Sequence, residues 1–207
     1  MVVQYTPEQY DTWRKAAKIA GEVLAIGAKL IKNGSSLLEV STQIDQAIFD
    51  KGGTPAWCSQ LNFDHIAAHD CARFQDDRVF DNNVVKLDVG VHIDGFIGDN
   101  AVTVDLSGKY TDLVKASRDA LNQVGKELQI GSRVGQLGKT IQDTIMGHGF
   151  QPVANLSGHT ILQNVIHHHP TIPNVATRDK TELKDGQVIA IEPFATDGVG
   201  SIYETGT

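Results

Sequence analysis

The chain has 207 residues, 41% of them hydrophobic, and a formal charge of −7 from 18 Lys+Arg against 25 Asp+Glu. That length holds one substantial core, and the composition excludes collagen, coiled coil and disorder. An acidic balance without any Lys/Arg block argues against electrostatic capture of nucleic acid or of an anionic membrane, whereas acidic clusters could hold cations.

In chain order, Met1 to Arg14 lacks the apolar run of a secretory signal, and no stretch approaches the roughly 20 apolar residues of a membrane span, so a soluble protein of the cytoplasm is expected. From Glu8 to about Lys32, Trp13, Ala16, Ala17, Ala20, Val23, Leu24, Ile26, Gly27 and Leu30 keep a helical spacing, ended by Asn33-Gly34. Ser35 or Ser36 then caps a second helix whose face is Leu37, Val40, Ile44 and Ile48, closed by Gly52-Gly53. Cys58 and Cys71 lie in one segment without a C-x-x-C spacing, which indicates neither a disulfide framework nor a zinc ribbon; two buried free thiols are expected.

The helical pattern recurs about 97 positions later, where Gly131-Ser132 precedes Val134, Leu137, Ile141 and Ile145, and Gly149 and Pro152 stand where Gly52 and Pro55 stood. A two-fold repeat predicts two similar halves, about 1–107 and 108–207, within a single domain spanning 1–207, each half running helix, helix, strands around a shared sheet. Val84 to His92 and Phe96 to Leu106 read as strands joined by Asp94-Gly95, a two-residue hairpin signal. In the second half Gln187 to Phe194 reads as a strand after the turn Lys184-Asp185-Gly186, and Ser201-Ile202-Tyr203 begins another.

If Asp94-Gly95 is the turn, Gly90 pairs with Asp99, and Asp88 shares that face because side-chain direction repeats every second residue. Such a diagonal pair stands roughly 7–8 Å apart. Two carboxylates that close repel unless a cation lies between them, and the apolar flanks Leu87, Val89, Phe96 and Ile97 make a metal site a better reading than a solvated face. Glu192 ends its strand as Asp88 ends Val84-Val85-Lys86-Leu87, and two-fold symmetry would bring the acids toward one centre, with His159 as a nitrogen donor.

These residues resemble the methionine aminopeptidases of the pita-bread fold, in their type II form from archaea and eukaryotes, peptidase family M24. The matching stretches are Ile66-Ala67-Ala68-His69, Lys86 through Asp99, Asn155-Leu156-Ser157-Gly158-His159, Ile172-Pro173-Asn174 and Ala190 through Thr196, and the similarity runs from about residue 8 to residue 204. The resemblance implies an α+β pita-bread fold: a pseudo-two-fold repeat of a helix pair plus antiparallel strands, with the helices packed on a curved central sheet. It implies two divalent metal ions, Co, Mn, Fe or Zn, with Asp88 on one, Asp99 bridging both, and His159 and Glu192 on the other. A hydroxide shared by two such ions would attack the peptide carbonyl that follows an initiator methionine. Glu192 would relay the proton, His69 would hydrogen-bond the scissile nitrogen, and His167 would hold the carbonyl oxygen. Trp57 and Ile166 would line the methionine pocket beside His69, although type II relatives carry Phe-Pro at Trp57-Cys58 and a tyrosine at Asp70. No role falls to His65, His92, His168 or His169.

The expected partners are the N-termini of nascent polypeptides, met at the ribosome, with no membrane or direct nucleic-acid partner, and the complete enzyme is expected to be a monomer. The family carries a fifth ligand, a bridging glutamate beyond a helical insertion. The sequence stops before both, so a C-terminally truncated, poorly active chain with an exposed sheet edge is expected; Glu204 aligns where the family has no ligand. The rival readings are a proline-specific pita-bread aminopeptidase or dipeptidase, and a non-catalytic pita-bread binding protein.

Overall fold

In the computed structural model, which describes residues 3–205, the first helix, α1 (Pro7–Leu30), starts at a capping box. Thr6 Oγ1 accepts the N–H of Gln9 at 3.3 Å, and Gln9 Oε1 accepts that of Thr6 at 2.8 Å. Two otherwise orphaned donors are satisfied, and Pro7 supplies a preset φ in the first turn. Ser36 caps α2 (Leu37–Asp50) through the N–H of Glu39. Of the expected stripes, Trp13, Ala16, Ala20, Val23 and Gly27 are buried on α1 and Leu37, Val40, Ile44 and Ile48 on α2, whereas Ala17 and Ile26 lie on the exposed side of α1.

These helices belong to the first of two compact units, Tyr5–Tyr110. Its antiparallel sheet is built on β3 (Val84–Ile93), with β4 (Phe96–Asp105) along one edge and β1 (Thr54–Pro55) and β2 (Gln60–Phe63) sharing the other. Alternation along β3 sends Val85, Leu87, Val89 and Val91 into a fully buried core with Ile44, Ile48, Leu61 and Phe80. On β4, Gly98 lets the α1 backbone come close, since a Cβ there would stand 2.4 Å from Ala17 Cα. Trp13 ties the same layers together by donating its indole N–H to Ile97 O at 2.7 Å.

The second unit is built on the chain from Thr111 onward. It holds α3 (Thr111–Glu127), α4 (Val134–Gly147), β5 (Gln151–Pro152), β6 (Ser157–Leu162), β7 (Val165–Pro173), β8 (Val188–Ala190) and β9 (Ala195–Thr196). A three-stranded antiparallel sheet runs in the order β7-β6-β8, and β5 pairs with β9. Val134, Leu137, Ile141 and Ile145, the repeated stripe, are buried with Ala120, Val124, Ile172 and Leu183.

Three expectations are corrected. Gln187 to Phe194 is not one strand: pairing stops at Ala190, because Pro193 has no N–H to give a ladder, and Ala195–Thr196 pairs elsewhere. Ser201 to Tyr203 is not a strand either; Ile202 is held at both its N–H and its carbonyl by the Asn155 side chain. Cys58 and Cys71 are not free thiols but a disulfide. A β-bridge between Gln60 and Cys71 folds the segment back on itself and leaves the two cysteine Cα atoms 6.2 Å apart, within bonding range. That closure is a tertiary event, and the 13-residue separation gave no sign of it. Among the described residues no helix is long and apolar enough to cross a membrane.

Candidate metal centre

In the first unit the ladder fixes the acids. Ile93 pairs with Phe96, His92 with Ile97, Val91 with Gly98 and Gly90 with Asp99, while Asp88 faces Ala101. Asp88 and Asp99 are therefore diagonal neighbours on one face of the hairpin, the pairing expected from the turn, and both are half-buried. Opposite residues on the other edge share that face too, so Gln60 lies beside Asp88 and Asn62 beside Lys86. Gly90 leaves the room that Trp57 fills, since a Cβ at Gly90 would meet the indole at 2.5 Å. The ring is set there by the Ala56 N–H bonding to Gly90 O at 2.9 Å. Trp57 thus covers the face that carries the two aspartates, and its buried Nε1 has no hydrogen-bond partner among the described residues. Burial lowers the pKa of the Lys86 ammonium on this face to about 8.

His69 is exposed and adopts φ 68°, a left-handed backbone that costs a non-glycine residue on the order of 1–3 kcal/mol unless its surroundings impose it. They do so here. The His69 N–H donates to Gln60 Oε1 and the Asp70 N–H to Asn62 Oδ1, both at 2.8 Å, and Asp70 O accepts from the Leu61 N–H at 2.9 Å. The Asp70 carboxylate meets Arg78 Nη1 at 2.6 Å. Arg78 also grips both oxygens of Asp76 and donates to Cys71 O at 3.3 Å. The guanidinium holds the Asp76 carboxyl far below the ordinary carboxylate range, and the pKa of Arg78 itself is raised by Asp76 and then by Asp70. Asp70, with no evident reason in the sequence to replace a tyrosine, has a structural one in this ion pair.

In the second unit the structure brings His159, His167 and Glu192 together. His159 is buried in the middle of β6, paired with Thr171 on one side and Ala190 on the other. Glu192 lies two residues beyond that pairing, and its Oε1 stands 3.1 Å from His159 Nε2. This oxygen is buried yet makes no hydrogen bond among the described residues. Two donor atoms facing one another this way, one carboxylate oxygen and one imidazole nitrogen, suit a shared divalent cation, which would satisfy the orphaned oxygen. The His167 ring meets the His159 ring edge to face, with centroids 4.5 Å apart. Register shifts on either side of Thr160 make that approach possible, since a bulge re-aims a side chain on a strand. Ile166 is partly buried on β7, one residue before His167.

Sequence reasoning missed what holds Glu192. The Asn174 side chain, fully buried, accepts the Phe194 N–H at 3.0 Å and donates to Leu156 O at 2.9 Å, linking the segment before His159 to the one after Glu192. Ser117 on α3 donates to Pro193 O at 2.9 Å and accepts the Ala195 N–H at 3.2 Å. Asn174 was visible only as part of a motif, and Ser117 had no signal at all. The hairpin of β6 and β7 was also missed, although Gln163-Asn164, with Asn164 at φ 60°, is a turn of ordinary chemistry.

Paired carboxylates, and a carboxylate facing an imidazole, are donors of the kind that metallohydrolases use. The sequence pattern of metallopeptidase family M24 matches residues 11–206, and the chain belongs to that family. Within it, the chain is similar to the methionine aminopeptidase of Methanocaldococcus jannaschii, with 44% identity over 95% of this chain and 67% of that protein. The solved methionine aminopeptidase of Thermotoga maritima covers 100% of this chain and 87% of its own, at a TM-score of 0.91 and 25% identity. The prolidase of Pyrococcus furiosus shares the fold, with a TM-score of 0.80 and 23% identity over 92% of this chain and 57% of its own. The resemblance read from the motifs and the pita-bread fold are both borne out. The chain spans about two thirds of the length of the curated relatives it matches.

Proposed function

We propose that this chain carries the catalytic domain of a methionine aminopeptidase, built of two related halves, which hydrolyses the first peptide bond of polypeptides that begin with methionine. The observation that carries the reading is the His159–Glu192 pair, its buried carboxylate oxygen without a hydrogen bond, in a chain of family M24. On this reading Asp88, Asp99, His159 and Glu192 are the ligands of two divalent cations. Such cations, when bound, polarise the scissile carbonyl and make water nucleophilic near neutral pH. Co, Mn, Fe and Zn all suit this mixed set of carboxylates and imidazole.

The chain's own residues would do the rest. Glu192 takes the proton of the attacking water and passes it to the departing amine. His69 hydrogen-bonds the scissile nitrogen, and His167 stabilises the carbonyl oxygen as charge develops on it. Trp57 and Ile166 supply apolar surface for an unbranched thioether side chain. The partners are nascent polypeptides at the ribosome, and the enzyme acts as a monomer in the cytoplasm.

Sequence similarity favours this activity over proline-directed cleavage, because the relatives at 33–44% identity carry the methionine aminopeptidase name while the prolidase matches share the fold alone. The test is a peptidase assay on Mn²⁺- or Co²⁺-loaded protein with Met-Ala-Ser against Ala-Pro. Release of methionine alone supports the reading. Preference for Ala-Pro overturns it in favour of a proline-specific enzyme, and cleavage of neither together with failure to bind Mn²⁺ favours a binding protein.

A further inference from the structure

The segment that carries His69 is tethered from several sides. Its conformation is one a histidine rarely adopts unaided: φ is 68°, and the N–H groups of His69 and of Asp70 after it are both bonded to side chains. Gln60 and Asn62 alternate with Leu61 on β2, so their side chains rise together from the sheet face and take the consecutive N–H groups of His69 and Asp70. Gln60 is buried and pairs with Asp88 across the ladder, which makes it the shortest connection between the strand of the candidate metal ligand and the backbone of His69. From the other side, Arg78 draws on the Asp70 carboxylate at 2.6 Å and on Cys71 O at 3.3 Å, and is itself locked by Asp76.

We infer that Gln60, Asp70 and Arg78 are positioning residues that hold the His69 imidazole in place for the substrate, with the Asp70–Arg78 ion pair serving as this chain's own device for the purpose. The inference rests on the proposed role of His69 in peptide hydrolysis. None of the three touches substrate in this scheme; each acts through the backbone of residues 69 and 70. Gln60 offers only an acceptor to that N–H, so Gln60→Met keeps the length and removes the bond. Asp70→Ala breaks the ion pair, and Asp70→Asn keeps an acceptor for Arg78.

The experiment is a double-mutant cycle that combines Met-Ala-Ser hydrolysis by the Mn²⁺-loaded protein with Mn²⁺ titration calorimetry and exchange of the His69 amide by NMR, both on the metal-free protein. Gln60→Met and Asp70→Ala should each lower kcat by about 10- to 100-fold, the scale of a misplaced catalytic group, with KM changed much less. Mn²⁺ affinity should stay within about twofold, Asp70→Asn should recover most of the loss, and the His69 amide should exchange faster in Gln60→Met. Neither substitution should lower turnover further in a His69→Ala background, because residues acting through one group do not add.

Equal losses in the His69→Ala background, or a fall in Mn²⁺ affinity parallel to kcat, would overturn the inference by showing a general structural role or a role at Asp88. Full turnover by His69→Ala would overturn it along with the assignment of His69. If the wild-type protein hydrolyses nothing, the proposed function fails separately, and amide exchange decides alone: a His69 amide no faster in Gln60→Met overturns the tether.

Discussion

Asp88 and Asp99 stand in a strand pair whose register runs unbroken from Val84 opposite Asp105 to Ile93 opposite Phe96. His159, in the other unit, sits on a six-residue strand whose pairing with β7 shifts on either side of Thr160, and Glu192 lies outside any strand. One unit places its acids with a ladder of backbone bonds, each residue fixed by its neighbours. The other places its glutamate with two side chains, Asn174 and Ser117. A ladder tolerates the loss of any one contact, whereas a tether made of single hydrogen bonds does not, and the two arrangements should differ under mutation.

The largest effect expected is at the ligands themselves. Asp99→Asn and Glu192→Gln should each weaken Mn²⁺ binding by at least about 100-fold, more than loss of an outer-shell partner does, as read by titration calorimetry. If only the second-unit substitution weakens binding, the hairpin carboxylates are structural and the comparison breaks.

Asn174→Ala comes next. It leaves the Phe194 N–H and Leu156 O without partners in a buried place, which should destabilise the protein by about 2–4 kcal/mol in urea unfolding and reduce Mn²⁺ affinity about 10-fold. A change below 0.5 kcal/mol, the size of ordinary surface substitutions, would show that Glu192 is held by something else.

The first unit has a tethered region of its own, the segment from Cys58 to Arg78, and two smaller predictions test whether it behaves like the second unit. Replacing both cysteines by serine should cost about 2–3 kcal/mol, as closing a loop of this length gives, measured by thermal melting without reductant. Asp76 should contribute about 1–2 kcal/mol through its charged hydrogen bonds to Arg78. Its folded pKa is depressed by Arg78, so this stability is fully present above the unfolded value near 3.9 and is lost as pH falls below it. Urea unfolding between pH 6 and 2.5 should therefore show an acid loss in the wild type that is smaller in Asp76→Asn. Equal acid slopes would contradict the pairing.

The same contrast explains what could be read in advance. Val85, Leu87, Val89 and Val91 alternate with Lys86, Asp88 and Gly90, and Asp94-Gly95 names the turn, so the hairpin and its diagonal acids follow from local rules. The helical stripes, including Val134, Leu137, Ile141 and Ile145, follow in the same way. Glu192 could be matched by motif and symmetry, but not its support, because Asn174 and Ser117 reach it from 18 and 75 residues away. The Cys58–Cys71 bond and the Asp70–Arg78 pair were hidden for the same reason: each depends on a chain reversal that no periodic pattern records. Where pairing is regular the sequence carries the geometry, and where single side chains close a loop only the folded chain does.

Asp88, Asp99, His159 and Glu192 are the proposed ligands of one pair of cations. Anomalous diffraction from a crystal soaked in Mn²⁺ tests that assignment most directly. Two peaks about 3.5–4 Å apart, with oxygen or nitrogen atoms of all four residues within coordination distance of one or other, are the predicted result. A single peak touching His159 and Glu192 while both aspartates stand clear, or no peak at any of the four, would contradict it.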